Sequence, residues 1–266
     1  MNTFGYYDPT SVTKAAGIAA DKPEAKYMGG GQSLLAAMKL GLAAPSDLVD
    51  LAQIPDLRGI KVEGGGASIT VGAMTRHAEV AANIEVGARL RALAELAGMI
   101  GDRQVRNRGT LGGSIANNDP AADYPAAVLA LGATIVTNQR KIPADEFFKG
   151  LFQTALKGNE IITAVSFPVP KKAGYQKFKN PASRFAIVGV FVAQTSAGVR
   201  VAVTGAGSRG VFRVKSMEDA LGRSWSADAL KSIVVPASEL ATDLHASAEY
   251  RAHLISVLAM RAVSAA

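Results

Sequence analysis

Apolar positions along the chain switch between helical and strand spacing, and each change of period marks an element. After Pro9, Val12, Ala15, Ala16 and Ala19 recur on one helical face, Thr10 or Ser11 is placed to cap it, and the pattern stops near Asp21-Lys22-Pro23. Residues 25–28 read as a short buried strand that runs into Gly29-Gly30-Gly31-Gln32-Ser33 and then into a helix carrying Leu34, Leu35 and Met38. Residues 48–51 predict another short strand. Residues 60–63 and 68–71 alternate, and Gly64-Gly65-Gly66 between them predicts a hairpin turn.

A helix follows with Leu90, Leu93, Leu96, Ala97 and Ile100 on one face, ahead of a second glycine-rich stretch at residues 109–114. Residues 126–131 form an apolar run after Pro125, and residues 133–137 a further strand. At Pro168-Val169-Pro170-Lys171-Lys172 the composition shifts to proline and lysine, so a boundary is expected near residue 170, dividing the chain into domains 1–170 and 171–266. Beyond it, residues 187–194 and 199–204 flank Ser196-Ala197-Gly198 as a second hairpin, and Tyr250, Leu254, Val257 and Leu258 mark a last amphipathic helix. Strands and helices interleaved without a repeat predict an α+β fold.

Composition narrows the chemistry. With 266 residues, 48% of them hydrophobic, the chain is long enough for two domains of roughly 100 to 150 residues. No apolar stretch approaches the ~20 residues of a bilayer span, and the N-terminal residues lack the basic and apolar regions of a signal peptide, so a cytoplasmic protein is expected. Cysteine is absent, which excludes disulfides, thiolate nucleophiles, cysteine-held zinc and any iron–sulfur cluster bound by this chain alone. His77, His245 and His253 form no His-x-x-x-His pair and read as surface or packing residues. The net charge is +7, and residues 171–184 carry Lys171, Lys172, Lys177, Lys179 and Arg184 with no acid among them. That run lacks the repeated aromatic positions of a nucleic-acid surface and reads as a solvated loop; no nucleic-acid partner is expected.

The two glycine stretches are the candidate chemistry. A diphosphate is held by several main-chain N–H groups at close range, and consecutive glycines before a helix permit that approach. Gly29-Gly30-Gly31-Gln32-Ser33 meets the description, and the Ser33 hydroxyl can cap the following helix or donate to phosphate. Arg106-Asn107-Arg108-Gly109-Thr110-Leu111-Gly112-Gly113-Ser114 offers a second set of amides and hydroxyls, so two loops could grip one diphosphate from both sides. Neither has the spacing of a P-loop or a Rossmann fingerprint. Either stretch taken alone suits an ordinary turn equally well.

In their wider contexts these residues resemble the FAD-binding medium subunit of the xanthine dehydrogenase and aerobic carbon monoxide dehydrogenase family of molybdenum hydroxylases. Gly29-Gly30-Gly31-Gln32-Ser33-Leu34-Leu35 is similar to the family's Ala-Gly-Gly-Gln-Ser-Leu-Leu loop, with glycine for alanine at position 29. The second match runs from Gln104 through Ser114 and on to Asp119-Pro120-Ala121-Ala122-Asp123. Shorter matches at Leu48-Val49-Asp50-Leu51, Glu160-Ile161-Ile162, Gly205-Ala206-Gly207 and Leu221-Gly222 extend it over nearly the whole chain.

The resemblance implies a two-part PCMH-type FAD-binding domain, with subdomains at about 1–55 and 56–170, followed by a small α+β C-terminal domain with an antiparallel sheet. It implies that Gly29, Gly30, Gly31, Gln32, Ser33 and Leu34 face Thr110, Leu111, Gly112, Gly113 and Ser114 across the FAD pyrophosphate. Asp123 would accept hydrogen bonds from ribityl or ribose hydroxyls, with Asn117 in the same wall. Ile100 and Ile162 would pack beside the isoalloxazine, with Lys179, or Lys177 if the alignment slips, approaching it. Partners would be a small subunit with two [2Fe–2S] clusters and a large subunit with the molybdenum cofactor, as a dimer of heterotrimers. Electrons would pass through the clusters to FAD here and out to a quinone, oxygen or NAD. No catalytic acid–base pair is expected in this chain. Arg184-Phe185 stands where the family often has an acid followed by an aromatic or aliphatic residue, which leaves the acceptor open. A self-contained flavin oxidase or reductase and a nucleotide-binding assembly module without redox activity are the rival readings.

Overall fold

The computed structural model describes residues 2–266 and contains three principal sheets. The first is small and parallel: β1 (Gly5–Tyr7), β2 (Lys26–Met28) and β3 (Asp47–Asp50) lie in the order β1-β3-β2. Parallel neighbours need crossovers, and the helices Val12–Asp21 and Leu34–Lys39 supply them. Ser11 rather than Thr10 caps the first helix, accepting from Lys14 N. Strand β1 carries no alternation long enough to announce it, and only its pairing with β3 makes it a strand.

The second sheet is antiparallel, in the order β4-β5-β10-β6-β7. Its strands are β4 (Ile60–Glu63), β5 (Ser68–Gly72), β6 (Thr134–Thr137), β7 (Lys141–Pro143) and β10 (Ile162–Pro168). A two-stranded ribbon, β8 (Phe148–Gly150) and β9 (Gln153–Thr154), sits outside it. The predicted hairpin of β4 and β5 forms with residues 64–66 in its turn. The expected helix over Leu90 to Ile100 is shorter than its apolar spacing, spanning Arg91–Gly98, with Ile100 just beyond it and half-buried against the core. The apolar run after Pro125 is the helix Tyr124–Ala130, buried at every residue. It is hydrophobic all round because the C-terminal sheet of residues 172–213 and the neighbouring helices cover it.

The third sheet runs β11-β12-β13-β14: β11 (Lys172–Lys179), β12 (Ala186–Thr195), β13 (Gly198–Thr204) and β14 (Phe212–Arg213). Strand β12 is apolar throughout because the sheet is covered on both faces. Phe191 and Ala193 join Tyr175 and Ala202 in the core of the preceding residues, while Val188, Val190 and Val192 point to the helices Lys215–Arg223 and Ala248–Ser264. The basic run 171–184, expected as a solvated loop, is mostly β11. Its lysines tolerate a strand because pairing with β12 satisfies the backbone and the side chains alternate outward, with one exception described below. In the last helix Tyr250 is exposed and Arg251 buried, so the inward face is turned by one residue from the apolar pattern.

Main-chain and side-chain bonds tie this sheet to the segment 120–123. Thr204 Oγ1 donates to Ala122 O at 2.6 Å and Pro120 O at 3.1 Å, and Gly205 N donates to Pro120 O at 2.8 Å. Asp119-Pro120-Ala121-Ala122-Asp123 is therefore also the seam between the two halves of the chain.

Candidate functional site

Strand β2 delivers the chain at Met28 to the first glycine stretch, which lies directly against the second. A Cβ on Gly30 would stand 2.1 Å from Arg108 O and 2.7 Å from Gly109 Cα, so only glycine permits the two loops to touch there. One on Gly29 would meet Thr110 Oγ1 at 2.9 Å. The expected pairing of the two loops is thus present.

Their amides are used in opposite ways. Among the described residues, no protein acceptor takes the N–H of Gly29, Gly30, Gly31, Gln32 or Ser33. In the second stretch Gly109 N donates to Val105 O at 2.7 Å, Leu111 N to Thr75 O at 3.1 Å, Gly112 N to Ala73 O at 2.8 Å and Ser114 N to Thr110 O at 3.0 Å. Gly113 N completes the set by donating to Thr110 Oγ1 at 3.1 Å, the N-cap of the helix Leu111–Asn117. Free amides therefore lie on one loop only, where two were expected from sequence: the first leaves its backbone donors without acceptors, and the second turns its amides inward because it is pinned to the end of β5. Leu111 is wholly buried and packs in the core. A Cβ on Gly112 would lie 2.6 Å from Ala73 Cβ, so this glycine serves packing of the chain on itself rather than approach to a ligand. Ser33 makes no cap bond and is exposed, so the capping role, one of the two expected of its hydroxyl, is not taken. Leu34 packs with Met28, Met38 and Leu48 beneath the loop.

His77 supports the second loop from below. Its backbone N donates to Gly109 O at 3.0 Å, and its ring lies so close that a Cβ on Gly109 would be 2.5 Å from Nε2. The imidazole is 5% exposed, and burial, helped by the charge of Arg106, lowers its pKa to about 4, so it is a neutral packing residue at physiological pH. It stacks obliquely on Tyr124 with ring centroids 5.3 Å apart.

Asp123 differs from expectation. It stands at the N-cap position of the buried helix Tyr124–Ala130 but makes no cap bond. Its carboxylate instead accepts from Tyr175 Oη at 2.5 Å and from Lys177 Nζ at 2.9 Å, both on β11. Asp123 is 4% exposed and the Lys177 side chain 1%, so this carboxylate is engaged by the chain itself and not open to a ribityl hydroxyl. Burial pushes its pKa up, while the ammonium of Lys177 and the two hydrogen bonds hold it down. Burial raises the Tyr175 phenol well above its ordinary value, which keeps it a donor. Lys177 also donates to Met99 O at 3.3 Å, next to Ile100. Lys179, the first choice from sequence, lies beyond a register shift in β11 and is exposed; Lys177 is the lysine that reaches inward.

Ile162 opens β10 opposite Thr137 with its side chain in the main core, and Asn117 ends its helix half-buried. The residue after it, Asn118, was not singled out from sequence. It adopts φ 46° and donates through Nδ2 to Gly150 O and Gln153 O, both at 2.8 Å, joining the helix to the β8–β9 ribbon. Asparagine's tolerance of the left-handed region was the available signal. Among the described residues no cluster of His, Asp and Glu could hold a metal ion, and no helix is long and apolar enough to cross a membrane.

Residues 2–170 match the family described as the FAD binding domain in molybdopterin dehydrogenase, and residues 173–266 the CO dehydrogenase flavoprotein C-terminal domain. The carbon monoxide dehydrogenase medium chain of Hydrogenophaga pseudoflava is 34% identical over 99% of this chain and 96% of its own length. The nicotine 6-hydroxylase medium subunit of Paenarthrobacter nicotinovorans is likewise 34% identical, over 97% and 95%. The solved carbon monoxide dehydrogenase from Hydrogenophaga pseudoflava superposes with a TM-score of 0.89 at 36% identity, over 100% of this chain and 97% of that one. The chain belongs to the FAD-binding medium subunits of the molybdenum hydroxylases and is an oxidoreductase component of that family.

Proposed function

We propose that this chain binds one FAD with its diphosphate on the main-chain N–H groups of residues 29–33, opposite Thr110 and Ser114, and relays electrons through it. The observation that carries the reading is the run of consecutive N–H groups without protein acceptors, held against a second loop whose own amides are committed. Backbone donors of this kind match a diphosphate's oxygens. Gly31 adopts φ 76°, a conformation open to glycine and seldom taken by residues with a Cβ. Ile100 would flank the isoalloxazine, with Lys177 fixed behind it by Asp123 and Met99 O; Ile162 and Asn117 would line the wall farther off.

When bound, FAD supplies the redox chemistry, and the protein's part is to hold it and set its surroundings. The flavin domain is assigned to residues 1–170, as two subdomains divided near residue 55, and the C-terminal domain to residues 171–266. Electrons would come from [2Fe–2S] clusters of a small subunit, fed by a large molybdenum subunit, within a cytoplasmic dimer of heterotrimers, and leave to an external acceptor. The absence of cysteine supports placing the clusters in a partner.

Expression with its neighbouring reading frames tests this. Copurification with two polypeptides bearing iron and molybdenum, and a flavin band that bleaches when the complex's substrate is added, are the expected results. Substrate turnover by the isolated chain would support a self-contained oxidase or reductase instead, and a chain that takes up no FAD on reconstitution would support the nucleotide-binding assembly module without redox activity.

A further inference from the structure

Two polar side chains lie ring against ring in the core beneath the second glycine stretch, and each keeps a polar atom that no group of the described residues satisfies. His77 Nδ1 and Tyr124 Oη are both enclosed and without a hydrogen-bond partner. Tyr124 is 0% exposed and His77 5%, so bulk solvent does not serve them either. Their planes are tilted by 49° at a centroid separation of 5.3 Å, so the rings meet obliquely, and the two polar atoms do not bond to each other. Leaving one such group unsatisfied costs roughly tenfold in the folding equilibrium, and native interiors seldom bear two side by side.

The chemistry of the pair selects what satisfies it. Burial keeps the imidazole neutral, and burial together with the Asp123 carboxylate keeps the phenol protonated, so neither group carries a charge that would hold an ion. A neutral imidazole presents one donor and one acceptor nitrogen, and a phenol both donates and accepts. Water complements either ring nitrogen, whichever carries the proton, and is small enough for a closed interior.

The place of the pair gives that water a role. Residues 75–77 are the rail on which the second glycine stretch lies: His77 N donates to Gly109 O, Leu111 N donates to Thr75 O, and Arg76 pairs with Thr110 as an antiparallel bridge. Tyr124 opens the buried helix that follows the seam at 119–123. A link between the two rings therefore fixes the rail, and Thr110 with it, against that helix. Thr110 Oγ1 stands where a Cβ on Gly29 would meet it at 2.9 Å, so a displacement of the rail is felt at the first loop. We propose that His77 and Tyr124 share one internal water, and that this water makes them the pair that positions Thr110 for the diphosphate. The positioning half rests on the FAD reading above; the water site does not.

Crystal structures of the flavin-free full chain and its Tyr124→Phe variant, at a resolution that shows ordered water, test the site without FAD. The expected result is a water within about 3.2 Å of both His77 Nδ1 and Tyr124 Oη, lost in Tyr124→Phe. A dry contact in the parent, or a water that persists in Tyr124→Phe, overturns the proposal. FAD affinity, followed by flavin fluorescence, tests the positioning. Tyr124→Phe keeps the ring and should weaken binding about tenfold, because the stranded imidazole releases the rail. His77→Asn puts an amide oxygen in the place of Nδ1 and should stay within about threefold of the parent. Equal FAD affinity in the parent and Tyr124→Phe overturns the positioning role. A parent chain that takes up no FAD overturns the earlier reading and the positioning with it, while the electron density still decides the water site.

Discussion

Replacing Asp123 by Asn keeps the shape of the side chain and removes its charge, leaving the Lys177 ammonium at 1% exposure without a counter-ion. Breaking a buried pair from one side costs about 3–5 kcal/mol, because the remaining charge keeps its desolvation penalty and loses its partner. For a chain of this size about 1 kcal/mol corresponds to roughly 2–4 °C, so the melting temperature should fall on the order of 10 °C. Lys177→Met leaves the Asp123 carboxylate buried and still bonded to Tyr175, and should cost somewhat less, since a carboxyl can take up a proton. The double variant Asp123→Asn/Lys177→Met removes both charges and should be more stable than the sum of the single effects predicts, by about 2 kcal/mol or more. Urea unfolding followed by circular dichroism and by Trp225, the only tryptophan and a residue of the C-terminal core, measures all of these. Strictly additive single costs, or an Asp123→Asn cost below about 1 kcal/mol, would refute the reasoning that this pair is a buried, mutually dependent link across the seam.

Gly30→Ala should force the glycine loops apart at Arg108 O and abolish FAD uptake in a chain that remains largely folded, checked by flavin retention after gel filtration. Gly112→Val should instead destabilise the fold, because its side chain meets Ala73, and should lower the urea midpoint even in the absence of FAD. His77 titrates near 6.5 when unfolded but at about 4 when folded, so the unfolded state binds the extra proton between those values. Stability is therefore flat above pH 6.5 and falls as pH drops toward 4, by about 3 kcal/mol in all. Urea midpoints at pH 7.5 and 5 should differ in the parent chain and converge in His77→Gln.

Much of this architecture was legible from local pattern. The strand–glycine–helix unit at residues 25–38, the β4–β5 hairpin and the β12–β13 hairpin all follow from periodicity, since each is made by neighbours in the chain. What stayed hidden depends on distant partners. Strand β1 exists through its pairing with β3, and a basic run becomes β11 because β12 lies beside it. Asp123 looks like a ligand-binding carboxylate until β11 brings Tyr175 and Lys177 to it from more than fifty positions away. The glycine stretches show the same limit. Composition marked both as places of close approach, but whether each amide faces a ligand or the chain's own carbonyls is set by Thr75 and Ala73, far off in sequence.

That division of amides is where the account is most exposed to measurement. Amide-resolved NMR of the isotopically labelled chain, titrated with FAD, should show the N–H resonances of Gly29, Gly30, Gly31, Gln32 and Ser33 shifting together and becoming protected from solvent exchange, while those of Leu111, Gly112 and Gly113 are protected with and without the cofactor. Unchanged resonances at residues 29–33 on saturation with FAD would contradict the assignment of the diphosphate to that loop.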